Sequence, residues 1–419
     1  MTVKTREKAV LAALRLPTQK RFEVDESLDE LGRLAESAGA EVVGRMTQDR
    51  PAPTPGLYFG KGKIDELRDW SQRQGANLMI SDDPLSPIQE RNLGGSLNMK
   101  VIDRTALILD IFAQRARTME GKLQVELAQL SYLLPRLVRQ WRHLERLGGG
   151  IGTRGPGETQ LESDRRIIRH RIQKLRGELQ RVRAHRRLVR TRRKATGYPV
   201  VALVGYTNAG KTTLLNRLTG AGRTAEDRLF VTLDPTARLV ATPGHTPFVL
   251  TDTVGFIRKL PTQLVAAFKA TLEELEEADV LLHVVDASHP GLEDQAAAVE
   301  SLLAELELGD RPTIVALNKT DRVEGGAPLR RLVERFEGVA VSAKTGEGID
   351  DLLDRIEHTF RPRTERAVLR IPYRDGTALA QCYERGRVLS RRDEADGIRL
   401  EVELSPRVLA PLEGYREPA

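Results

Sequence analysis

One cysteine, Cys382, stands in the 419 residues. No disulfide can form within the chain, and a cysteine-based zinc site is excluded. Aromatic residues are sparse, at 4 %. No run of about 18 uncharged apolar residues occurs, so no membrane-spanning helix is expected. Met1 to Leu16 carries scattered charges and no continuous apolar core. It reads as neither a signal peptide nor a span. The expectation is a cytoplasmic protein whose contact with membranes is at most peripheral.

Hydrophobic residues make up 40 % and charged residues 30 %, which suits a soluble globular chain with sizeable cores. The length allows about three domains. The formal net charge of +7 points to a polyanionic partner, nucleic acid before membrane, although an excess of this size does not decide the matter alone.

The central pattern runs from Val200 to Thr213. A β-branched apolar run enters Gly205-Tyr206-Thr207-Asn208-Ala209-Gly210-Lys211-Thr212, of the form G-x-x-x-x-G-K-T, and an amphipathic stretch follows to Leu218. Strand, loop and helix in succession give the context a P-loop needs. The glycines let backbone N–H groups approach a polyphosphate, and the helix start adds donors and partial positive charge. Lys211 can reach the β- and γ-phosphates, and Thr212 can offer its hydroxyl to Mg²⁺.

Residues 1 to about 115 alternate strands and helices, the mark of an open α/β sheet. Strands are expected over Ala9 to Leu16, Ala40 to Val43, Asn77 to Ser81 and Lys100 to Asp103. Helices are expected after a cap at Ser27, over Ile64 to Gln74, and over Ser86 to Leu93. Gly60-Lys61-Gly62-Lys63 could hold phosphate, but it lacks P-loop spacing and reads rather as a solvated turn. Asp82 and Asp83 read either as an acidic catalytic pair or as a turn before Pro84.

From about 116 to 196 two heptad patterns appear. Leu123, Leu127, Leu130, Leu134, Leu137, Trp141 and Leu144 form one; Ile168, Ile172, Leu175, Leu179, Val182 and Val189 form the other. Pro135 is expected to bend the first helix. Between them lies the glycine-rich stretch Gly148 to Gly157, including Arg154, so an antiparallel helical hairpin with a glycine tip is expected. Its second helix is strongly basic, from Arg165 and Arg166 through Arg193 and Lys194. So many guanidiniums repel one another unless a polyanion meets them. The alternative is a coiled-coil spacer.

Between about 197 and 362, further motifs follow in order. Phe230-Val231-Thr232-Leu233-Asp234 carries a threonine of the kind that contacts Mg²⁺ and γ-phosphate on a mobile segment, with Thr236 as a rival. Asp252-Thr253-Val254-Gly255 is a D-x-x-G at a strand end; Asp252 can hold Mg²⁺ through water and the Gly255 N–H can meet the γ-phosphate. Asn318-Lys319-Thr320-Asp321 is the most discriminating motif. The Asp321 carboxylate can accept the ring N–H and exocyclic amine of guanine, a donor pair adenine lacks. Ser342-Ala343-Lys344 can meet the guanine oxygen with its backbone. Phe256 stands where Ras-like enzymes place a water-orienting glutamine, which predicts slow intrinsic hydrolysis completed by rearrangement or a partner. His245 and His283 read as structural rather than as the missing base. From about 363 to 419 a small α+β module is expected, with Cys382 packed on its helix.

These residues resemble the HflX family of ribosome-associated GTPases. The resemblance runs from about Glu26 to Lys344. It is carried by Asp103-Arg104-Thr105, Ile111 to Ala116, Glu120 to Leu127, Gly149 to Thr159, Gly205 to Lys211 and Asp252 to Ile257. It implies a P-loop GTPase domain preceded by an α/β domain with a helical hairpin and followed by a small α+β module. It also implies GTP as substrate, with Mg²⁺ contacted by Thr212 and Thr232, which settles Thr232 over Thr236. Lys211, Thr232 and Gly255 would act on the γ-phosphate. The implied partner is the large ribosomal subunit and its rRNA, with no DNA, the chain being a monomer off the ribosome. The implied role is ribosome splitting, rescue or anti-association, and the family links its amino-terminal domain to ATP use. Thr212 replaces the more usual serine, and Met119 a frequent histidine.

Overall fold

The computed structural model describes residues 6–137, 156–194, 198–220, 236–242, 247–259, 275–360, 365–404 and 406–417. The chain divides into two compact units, Met1–Ile349 and Asp350–Ala419.

The first unit opens with a parallel sheet in the order β2-β1-β3-β4: β1 is Lys8–Arg15, β2 Glu41–Asp49, β3 Leu78–Ser81 and β4 Lys100–Asp103. Alternate residues of β1 serve two cores. Ala9, Leu11 and Ala13 pack with helices α1 (Arg21–Ser37) and α4 (Arg104–Arg115). Val10, Ala12 and Leu14 pack with α2 (Lys61–Gln74) and α3 (Pro87–Leu97). Burial on both faces explains why β1 reads as a continuous apolar run.

Helix α1 starts at Arg21, six residues before the expected cap. Glu23 accepts from the Lys20 backbone N–H at 3.0 Å and closes the first turn. Ser27 lies inside the helix, where its Oγ donates to Asp82 Oδ2 at 2.8 Å; a tertiary partner overrides its capping preference. Gly60 caps α2, so Lys61-Gly62-Lys63 is a first helical turn rather than a solvated loop.

Helix α5 (Met119–Leu133) stops before Pro135 instead of bending around it, because proline has no N–H to continue the ladder and its ring crowds the carbonyl four residues back. Helix α6 spans Pro156–Lys194. Leu123, Leu175 and Leu179 form a small core with Leu127, Leu130 and Val182 against it, so the heptad positions meet as expected. Glu126 takes a two-pronged contact from Arg171 at 2.7 and 2.8 Å. Glu126 follows Leu123 whereas Arg171 precedes Leu175, so the two helices run in opposite directions. The root of α5 is fixed to the first sheet. Tyr132 donates to Asp103 at 3.0 Å, and Arg136 lies over the Tyr132 ring while reaching Glu90 at 2.8 Å. Trp141, Leu144, Arg154 and the glycines from 148 to 155 lie outside the described residues.

The second sheet of this unit has the order β10-β9-β8-β5-β7-β6, with β5 Val200–Gly205, β6 Thr236–Val240, β7 Phe248–Asp252, β8 Val280–Asp286, β9 Thr313–Asn318 and β10 Val339–Ala340. All pairs are parallel except β6 with β7. Helix α7 (Lys211–Thr219) follows β5 directly.

In the second unit, β11 (Glu365–Ile371), β12 (Arg387–Asp393) and β13 (Ile398–Leu404) form an antiparallel sheet in the order β11-β13-β12. Its inner face packs with residues of the helix Gly376–Arg385, and Cys382 is fully buried there. This is the expected α+β module, with the cysteine in a packing role.

Candidate nucleotide site

The parallel strands β5, β7, β8 and β9 end at one edge, and the motif residues follow from those ends. In α/β sheets that edge is where ligands bind. Gly205 closes β5, and Gly210 turns the chain into α7 with φ 97°. A Cβ at Gly210 would fall 2.2 Å from Asn318 Nδ2, so only glycine fits.

Lys211 Nζ donates to the carbonyls of Gly205 at 2.9 Å and Tyr206 at 2.7 Å. This holds the ammonium over the loop. Burial pushes its pKa down to about 8, against the opposing pull of Asp252. Gly255 lies against it: a Cβ there would sit 2.8 Å from Thr207 Cγ2 and 3.0 Å from Lys211 Nζ. Thr207 N–H donates to Phe256 O at 2.7 Å, and Phe256 N–H to Gly205 O at 3.1 Å. The D-x-x-G segment is thus stitched to the phosphate loop. Thr253 Oγ1 donates to Leu203 O at 2.5 Å, and Val254 faces the amino-terminal core.

The base-reading loops meet the same edge. Asn318 Nδ2 donates to Ala209 O at 2.8 Å, and its Oδ1 accepts from Ala343 N–H at 3.0 Å. Lys319, at φ 65°, reaches Asp286 Oδ2 at 2.7 Å. The Thr320 N–H donates to Val341 O at 3.3 Å. Ser342 Oγ donates to Asp321 Oδ1 at 2.7 Å and accepts from Thr345 N–H at 3.2 Å. A cleft of about 770 Å³ opens beside Asn208, Asp286 and Lys319.

Two side chains that the motifs did not reveal complete this frame. Arg217, in the last turn of α7, donates to Ala343 O at 3.1 Å and to Lys344 O, so it fixes the S-A-K loop. Asp286, at the end of β8, orients Lys319. Position at a strand end was the available signal for Asp286; Arg217 gave none.

Phe256 is 4 % exposed and packs with Tyr206, Ala202 and Leu281. It turns into the core and offers nothing to a water. His283 is 2 % exposed, and burial, helped by Lys211, lowers its pKa to about 4. It stays neutral inside β8, as expected of a structural histidine. Asp82 and Asp83 are engaged in ion pairs. Asp82 accepts from Arg104 Nη2 at 2.7 Å, and Lys259 Nζ lies 2.6 Å from an oxygen of each aspartate. Thr236, the rival threonine, lies in β6 opposite Asp252. Phe230, Val231, Thr232, Leu233, Asp234 and His245 fall outside the described residues.

Thr212 Oγ1 lies 3.4 Å from Asp252 Oδ2, and Asp252 is fully buried. A hydroxyl and a carboxylate side by side are hard oxygen donors, the set that suits Mg²⁺ with its waters and substrate phosphates. The residues therefore fit the ion. When bound there it would neutralise charge on the phosphates.

A parallel sheet that presents G-x-x-x-x-G-K-T, D-x-x-G, N-K-x-D and S-A-K at one edge defines a P-loop GTPase. Family models match nearly the whole chain: "GTP-binding GTPase N-terminal" over residues 25–113, "GTP-binding GTPase Middle Region" over 115–193, "50S ribosome-binding GTPase" over 200–319 and "HflX C-terminal domain" over 329–414. The chain belongs to the GTPase HflX family. It is 48 % identical to the GTPase HflX of Lacrimispora saccharolytica over 392 residues, 94 % of this chain and 92 % of the relative. It is 46 % identical to that of Escherichia coli over 393 residues, 93 % and 92 % of the two chains. A GTP-binding protein of Sulfolobus solfataricus in complex with GDP covers 84 % of this chain and 98 % of its own at 25 % identity, with a TM-score of 0.44. The chain is a GTPase, and the family match runs past Lys344 into the carboxy-terminal module, further than the resemblance in sequence alone reached. Among the described residues no helix is long and apolar enough to cross a membrane.

Proposed function

We propose that this GTPase binds the large ribosomal subunit when GTP is bound, hydrolyses GTP with Mg²⁺, and acts in ribosome splitting, rescue or anti-association. Lys211 and Gly255 would engage the γ-phosphate, Thr212 and Thr232 the Mg²⁺, and Asp321 the guanine. The work would be divided among an amino-terminal domain to about 115, an arm from 116 to 196, a GTPase domain from 197 to 362 and a module from 363. The observation that carries the reading is the arm. Arg166, Arg169, Lys174, Arg176 and Arg181 project from α6 as exposed side chains, in the same compact unit as the guanine motifs. Cations in such a row gain most from a phosphate backbone, by displacing its counterions. The description of the matched central family as ribosome-binding supports the same partner. Off the ribosome the protein would be a cytoplasmic monomer with no DNA partner.

Two measurements test the reading together: GTP turnover with and without large subunits, and co-sedimentation with subunits in a non-hydrolysable GTP analogue and in GDP. Stimulated turnover with analogue-dependent sedimentation is expected. Unstimulated turnover with nucleotide-indifferent binding would overturn it.

A further inference from the structure

The residues that follow Asp252 are held by the amino-terminal domain as well as by their own. Val254 and Ile257 are buried in the core built from β1, α1 and α4. Gly255 lies between these two plugs, against Lys211. Next comes Arg258, whose backbone is held from both sides. Its N–H donates to the Tyr206 hydroxyl at 2.7 Å, and its carbonyl accepts from Arg104 at 3.3 Å. The Tyr206 hydroxyl donates in turn to Glu30 Oε1 at 2.5 Å, and Glu30 Oε2 accepts from Arg104 at 2.7 Å. Glu30 is 5 % exposed and Tyr206 6 %. A buried carboxylate of α1 therefore sets the orientation of a P-loop tyrosine and, through it, the segment that carries Gly255.

We propose that Glu30 is a positioning residue for GTP hydrolysis, supplied by the amino-terminal domain and acting through the Tyr206 hydroxyl. Tyr206 also lends its carbonyl to Lys211, so one residue links both groups expected at the γ-phosphate. GDP has no γ-phosphate, so an effect confined to Gly255 and its neighbours separates the two nucleotides. Donors fixed before the nucleotide arrives need no reorganisation as the transition state forms. A polar cluster that merely sealed the domain contact would make no such distinction.

The proposal rests on the assignment of residues 205–212 to the phosphates of GTP. The test uses the full chain as wild type, Glu30→Ala, Tyr206→Phe, the double variant, Glu30→Gln and Lys211→Ala, with folding checked by thermal melts. At saturating GTP and Mg²⁺, Glu30→Ala and Tyr206→Phe should each lower kcat about tenfold, with GDP affinity within about twofold of wild type. The double variant should be no slower than the worse single one, because both break the same link from Glu30 through the Tyr206 hydroxyl to Arg258. Glu30→Gln should recover most of the rate, since an amide oxygen still accepts the hydroxyl. Unchanged kcat in folded variants, GDP affinity falling in step with kcat, or effects that multiply would each overturn the proposal. Should Glu30→Ala not fold, Tyr206→Phe and Glu30→Gln decide. Undiminished GTP turnover by Lys211→Ala would sink the P-loop assignment itself, a separate failure.

Discussion

The Asn318 side chain donates to the Ala209 carbonyl at 2.8 Å, so the base-reading loop and the phosphate loop are one structure. The same amide accepts from Ala343 N–H, and it thereby joins three of the four motifs.

Asn318→Ala removes both bonds and leaves a buried carbonyl and a buried N–H without partners. Each orphan costs about 1–3 kcal/mol. Affinity for GTP and for GDP should fall together, roughly tenfold to a hundredfold or more, in a fluorescent-nucleotide titration. A loss restricted to GTP would mean that the bond serves the γ-phosphate side instead.

Lys211 predicts a pH signature. Its folded pKa, about 8, lies below the ordinary lysine value of 10.5. Between these values the unfolded chain holds more protons, so this group's contribution to stability grows as pH rises from about 8 toward 10.5; below about 8 the buried charge is carried at its full cost. Phosphates would draw the proton back. Nucleotide binding should therefore take up a proton at about pH 9 and almost none from this group at about pH 7. Calorimetry in buffers of different ionisation enthalpy reads that number directly.

The interface that holds Arg258 is also a stability element. Arg104 is 1 % exposed and meets Glu30 and Asp82 at 2.7 Å each. Arg104→Met deprives two buried carboxylates of their shared guanidinium and should destabilise the first unit by about 3–5 kcal/mol in urea unfolding. For Asp82, burial pushes the pKa up, but Arg104 and Lys259 outweigh it and hold the carboxyl below its usual range. Its contribution is present above the unfolded carboxylate pKa and is lost as pH falls through the depressed folded value. Asp82→Asn should flatten that acid limb.

The four nucleotide motifs were legible because each is local: a few residues at the end of an apolar run specify their own loop. The heptads of α5 and α6 were legible for the same reason. What escaped depends on distance along the chain. Tyr206 and Glu30 are 176 residues apart, and neither residue type signals the other. Ser27 looked like a cap because its partner, Asp82, is invisible from the local sequence. Pro135 was read as a bend, whereas α5 ends at Leu133.

The exposed cations of α6 should govern attachment without touching chemistry. Replacing Arg166, Arg169, Lys174, Arg176 and Arg181 with glutamine should abolish analogue-dependent sedimentation with large subunits near physiological salt. Removing some of them should reduce the salt slope of binding by up to about 0.9 for each lost phosphate contact. Turnover of GTP by the free protein should stay as it was.

Base preference is the most direct measure of the account, because everything proposed for the switch assumes guanine. Asp321 sits at its loop with one carboxylate oxygen taken by Ser342. Asp321→Asn replaces an acceptor with a donor. Turnover efficiency with GTP should fall about a hundredfold or more, and that with xanthosine triphosphate should rise, since xanthine offers a carbonyl where guanine carries its amine. An Asp321→Asn protein that keeps its kcat/KM for GTP and gains nothing with the xanthine nucleotide would contradict the account.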